Sequence, residues 1–144
     1  MVGDYCRIIE PSTDQGIAMY RAYGLLTPAT DFSLDAAAPK LAAALPDLPP
    51  VRGDGWLQFA NDEWEIHLTL NESPVVLEDS GRIADHIGGA TEELGIRTCA
   101  RRVEVSSDVI DEGMAHFGDF VKVLDVLKSF RGVIVVEPEA PSLM

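Results

Sequence analysis

The sequence predicts an α+β fold: a mostly antiparallel sheet with two principal helices packed on one face and a C-terminal β-α-β unit. Three stretches carry that expectation. Residues 97–138 (RTCARRVEVSSDVIDEGMAHFGDFVKVLDVLKSFRGVIVVEP) read as strand, acidic loop, amphipathic helix and strand. Residues 56–70 (WLQFANDEWEIHLTL) alternate around a turn and read as a hairpin. Residues 79–94 carry an apolar stripe at helical spacing.

Taken in order, residues 5–10 (YCRIIE) form a short strand candidate closed by Pro11. Ser12, Thr13 and Asp14 then offer helix caps, and Ile17, Ala18, Tyr20 and Ala22 suit a short helical segment that Gly24 ends. From 27 to 55 the chain is broken by Pro28, Pro39, Pro46, Pro49 and Pro50. This span reads as a wrapped connector with one or two helical turns, extended and polyproline-like over 46–52.

In the hairpin, Asn61-Asp62 serves as a two-residue turn. Phe59 then faces Trp64 and Leu57 faces Ile66 on the core side. The outer face pairs Ala60 with Glu63, Gln58 with Glu65, and Trp56 with His67. Residues 74–77 suit a short strand, after which Asp79 and Ser80 cap a helix that Gly95 stops, with Gly88-Gly89 inside it.

The strand at 98–105 sets Cys99, Val103 and Val105 against Thr98, Ala100, Arg102 and Glu104. The following helix aligns Phe117, Phe120, Val121, Leu124 and Leu127, with Val123 and Phe130 widening the stripe. Gly132 releases the chain into 133–136, whose Val and Ile run suits an inner strand ended by Pro138. Residues 139–144 read as a frayed tail, and all 144 residues as one domain.

Composition narrows the function. Twenty-four acidic side chains against 11 basic ones give a net charge of −13, which disfavours nucleic acid and anionic membranes and favours a basic partner. No apolar run approaches the ~20 residues of a membrane span, and Asp4 and Arg7 interrupt any signal-like start. A cytoplasmic protein is the expectation. Cys6 and Cys99 lack a pairing pattern and read as buried, reduced small hydrophobes.

No motif names a reaction. Ser106-Ser107 lacks a glycine-framed elbow, and no glycine-rich phosphate loop opens a helix. Glu63, Glu65 and His67, at alternate positions of one strand, offer metal-ligand chemistry. Exposed strands commonly carry polar residues at alternate positions, which is the plainer account of them, so no metal, no cofactor and no catalytic residue is assigned. Asp108, Asp111 and Glu112 precede His116 without the order of a calcium loop. A partner-binding surface is expected instead at Trp56, Gln58, Glu65 and His67 of the hairpin, with Asp108, Asp111 and Glu112 adding an acidic field.

His116-Phe117-Gly118-Asp119-Phe120, the helix to Phe130, and Gly132-Val133-Ile134-Val135-Val136 resemble the C-terminal part of small bacterial proteins grouped with polymorphic-toxin immunity proteins. The resemblance covers about the last third of the chain. It implies a compact, acidic, cytoplasmic, non-enzymatic protein that binds and neutralises a toxin, and it transfers no functional residue. The other expectation is a small ligand-binding domain or enzyme with a cleft between the sheet and the proline-rich connector. The third is a subunit that pairs with its own copy through a sheet edge.

Overall fold

The computed structural model describes residues 19–88, 95–138 and 142–144. Six strands form one sheet: β1 (Arg21–Leu26), β2 (Pro50–Gly53), β3 (Trp56–Ala60), β4 (Glu65–Asn71), β5 (Arg101–Ser106) and β6 (Val133–Val136). Their order across the sheet is β2-β3-β4-β5-β1-β6, and each neighbouring pair is antiparallel. The helices are α1 (Leu34–Ala44), α2 (Val75–Ile87) and α3 (Phe117–Lys128). The α+β class and the antiparallel sheet predicted from the sequence are both present. Among the described residues no helix is long and apolar enough to cross a membrane.

One sheet face is covered by α1 and α3. Period-two alternation sends Leu57 and Phe59 of β3, Ile66 and Leu68 of β4, and Val103 and Val105 of β5 to that face, all buried. Leu34, Ala37 and Leu41 of α1 meet them, as do Phe120, Val123, Leu124 and Leu127 of α3. Each of the larger side chains contributes roughly 1.5–3 kcal/mol by leaving water. Gly24 leaves room for its neighbours in this core: a Cβ there would stand 2.8 Å from Val103 Cγ1 and 3.5 Å from Leu127 Cδ1.

The opposite face has a smaller core over β1 and β6, where Leu25 and Val136 pack with Ile83 and Ala84 of α2 and with Ile96 and Cys99. β1 is therefore covered on both sides, and its apolar residues run without a polar alternation. β5 and β6 are each antiparallel to β1 and so run parallel to one another. They are the outer strands of the predicted β-α-β unit, with β1 inserted between them.

Several local expectations change. The segment around Tyr20 and Ala22 is a strand, because its alternate residues serve two cores rather than one helical stripe. The connector holds a full helix, α1, in which Ser33 Oγ accepts from Ala36 N (3.0 Å) and the exposed Pro39 stands inside. Beyond it, residues 50–53 pair with β3 as an edge strand. α2 begins behind Pro74, so residues 74–77 are not a strand and Asp79 and Ser80 lie within the helix.

Ser80 there donates to the Cys99 carbonyl at 2.7 Å. Gly88, at φ +69°, ends α2, where the sequence suggested a mid-helix glycine pair. Cys99 leaves a 3-10 turn (Ile96–Thr98) and joins the α2 core, on the other face from Val103 and Val105. β6 is an edge strand rather than an inner one. Residues 142–144 do not fray: Met144 N donates to Val135 O (3.0 Å) and Glu137 N to Ser142 O (2.9 Å). The readings of residues 5–18, of Gly89 to Leu94 and of 139–141 lie outside the described residues.

Candidate functional site

α2 and the turn after it pack over the β1–β6 end of their sheet face. At the other end, the same face of β2, β3 and β4 keeps Val51 and Thr69 exposed and Trp56, Gln58, Glu65 and His67 half-buried among the described residues. Register aligns these side chains. Val51 pairs with Gln58, Gln58 with His67, His67 with Ser106, and Ser106 with Arg21, forming one row across five strands. The neighbouring row runs Gly53, Trp56, Thr69, Glu104, Tyr23.

The hairpin turn sets this register. Asn61 Oδ1 accepts from Glu63 N (2.8 Å) and Trp64 N (3.0 Å), and Asn61 N donates to Trp64 O (3.0 Å). An asparagine side chain that holds its own backbone in this way builds a longer loop than two residues. Phe59 therefore pairs with Ile66, and Gln58 with His67. The partners differ from the expected ones by two positions, and a shift of two leaves every side chain on its expected face. Trp56 pairs with Thr69 and lays its indole over Gly53, where a Cβ would fall 2.0 Å from Trp56 Cε2.

Polar contacts tie the centre of the face together. Gln58 Nε2 donates to Glu65 Oε2 at 2.7 Å, and Glu65 Oε1 lies 2.6 Å from His67 Nε2. Asp108, exposed on the loop after β5, comes to the same place: one ligand-type atom from each of Glu65, His67 and Asp108 lies within 4.8 Å of the others. Glu63, the third member of the expected metal-type set, sits in the turn with its side chain 80% exposed and its nearest ionic partner His116 at 3.9 Å. The strand starts only at Glu65, so Glu63 does not share its alternation.

The rest of the expected acidic field divides. Asp111 is 3% exposed and belongs to the α3 side. Its Oδ2 accepts from Tyr20 OH (2.6 Å) and from His116 N (2.7 Å). It is thus a structural carboxylate, and a partner has no access to it. Glu112 is exposed at the start of a 3-10 turn (Glu112–Met114). His116 stacks on Trp64 with centroids 4.8 Å apart and planes 4° apart, and its Nδ1 lies 3.0 Å from Asp119. His86 is exposed in the last turn of α2.

Beside the open face, Arg102 is nearly buried. Its guanidinium lies 4.0 Å from the Tyr23 ring centre, and it reaches Glu104 (2.8 Å) and Asp79 (3.2 Å). The hydrogen bond from Arg82, and then that from Arg102, holds the Asp79 carboxyl below its usual range against the opposing effect of burial. Sequence reasoning did not place Ser106, Arg21 or Arg102 at this site. The signal for them is the cross-strand register, which needs the order of non-consecutive strands. Comparison with protein-family models, curated proteins and solved structures finds no match.

Proposed function

We propose that this chain is an acidic, non-enzymatic protein-binding module that captures one basic partner protein on the open face of β2, β3 and β4. The concrete form of this reading is a cytoplasmic immunity protein that sequesters a cognate toxin. The observation that carries it is the face itself: Val51 and Trp56 give an apolar anchor, with Gln58, Glu65, His67 and Asp108 beside it, on a chain of net charge −13. Buried aromatic anchors dominate the dissociation of protein complexes, and opposite charge accelerates their encounter. The rival cleft under the proline-rich connector has less support, because Leu41, Leu45 and Leu48 of that span are buried in the main core.

The test is co-purification with the products of neighbouring genes, followed by binding kinetics with any basic protein among them. A one-to-one complex is expected. Trp56→Ala weakens it by about 2 kcal/mol or more, mainly through faster dissociation. Glu65→Lys and Asp108→Lys slow association, and that loss fades as salt rises. A folded Trp56→Ala variant that binds unchanged removes this face as the site. A chain that forms complexes only with itself favours the subunit reading instead.

A further inference from the structure

We infer that Glu65, His67 and Asp108 form a site for one divalent transition-metal ion, with Zn²⁺ as the best-matched probe. In the sequence, Glu63 stands beside Glu65 and His67 as the third member of the set. The fold replaces Glu63 with Asp108, and that changes the geometry, because the three side chains now converge from two elements instead of lining one strand. Glu65 and His67 sit two apart on β4 and project to the same face. His67 pairs with Ser106, so the chain leaving β5 brings Asp108 over them.

The ligands are held by partners that do not compete for the ion. Gln58 donates to Glu65 Oε2 at 2.7 Å, which leaves Oε1 turned toward His67 Nε2. Carboxylates that ligate metals are themselves held by hydrogen bonds of this kind. Buried Ser107, next to Asp108, is fixed by its N–H to Tyr20 O (3.0 Å) and its Oγ to Val109 O (3.2 Å). The loop carrying the third ligand is therefore anchored to the residue just before β1.

One imidazole nitrogen and two carboxylates suit zinc and its neighbours in the transition series, and too few oxygens converge for calcium. Three protein ligands leave a fourth position for water or an incoming side chain. The site does not depend on the protein-binding reading, because it is assayed on the isolated chain.

The experiment is calorimetric titration of the full chain with ZnCl₂ in a buffer that does not coordinate metals, with circular dichroism to verify each variant's fold. One Zn²⁺ per chain is expected. His67→Ala lowers the affinity by more than about 100-fold, beyond what loss of an orienting neighbour does, and Gln58→Ala lowers it about 10- to 100-fold. Asp108→Asn, a substitution on an exposed loop, lowers it as well without touching the sheet. No stoichiometric uptake by the wild-type chain overturns the assignment. So does equal affinity in folded His67→Ala, which would mean that surface carboxylates hold the ion diffusely.

Discussion

Tyr20 and Asp111 lie 91 residues apart and share a hydrogen bond of 2.6 Å inside the main core. Burial, and then the bond and the charge of Asp111, push the Tyr20 hydroxyl above its ordinary value. An acid held neutral in the fold is deprotonated first in the unfolded chain. The pair's stabilisation is therefore complete below about pH 10 and is lost as pH rises above the unfolded tyrosine value. Alkaline titration of the unfolding midpoint checks this, and Tyr20→Phe flattens it. The same variant costs about 1–3 kcal/mol at neutral pH, because among the described residues the buried carboxylate then keeps only the His116 N–H. Asp79 has the opposite sign. Its depressed carboxyl stabilises the fold above the ordinary aspartate range and loses that contribution as pH falls through the lowered value. At Gly24 the constraint is steric. Gly24→Ala presses a methyl to 2.8 Å from Val103 Cγ1 and costs roughly 1–3 kcal/mol in urea denaturation.

At the scale of elements, α3 binds the main core through Phe120, Leu124 and Leu127, which are 4%, 6% and 0% exposed. Phe120→Ala and Leu127→Ala each cost about 2–5 kcal/mol in chemical denaturation. Phe117, 43% exposed at the first position of the helix, costs visibly less when truncated. In α1, Pro39 removes the hydrogen bond that residue 39 would give to Asp35 O, and its ring is exposed. Pro39→Ala therefore raises stability, by on the order of 1–3 kcal/mol. These two helices also show what the sequence makes legible. α3 has the apolar stripe of a helix with one buried face, and the stripe identifies its core residues, although Phe117 and Val121 fall outside the buried arc. β3 and β4 alternate because only one of their faces is covered, so their faces are readable even though their pairing is not. β1 is covered on both faces, so Tyr23, Leu25, Ala22 and Leu26 carry no period that separates strand from helix. The Glu65–His67–Asp108 cluster was invisible for a further reason: it needs β4 beside β5, a pairing between strands separated by α2.

The whole molecule carries its charge unevenly against its contacts. The described ion pairs are short-range, either isolated, such as Arg52 with Asp35, or in small groups, such as Arg102 with Asp79 and Glu104. Eleven Lys and Arg side chains leave many of the 24 carboxylates to repel one another. Such repulsion acts across the folded surface and weakens as the chain expands, so it opposes the compact state. Salt with a Debye length of about 10 Å at 0.1 M screens these long separations first, and it affects the nearly buried Arg102 pairs least. Raising NaCl from low concentration to a few tenths molar therefore raises the thermal midpoint of the isolated chain, while the same series weakens capture of a basic partner. The two opposite slopes, measured by calorimetry and by binding kinetics on one preparation, follow from one property of the sequence. A midpoint that falls with salt means that the exposed ion pairs outweigh the net repulsion, and the acidic excess then serves neither stability nor steering in the way argued here.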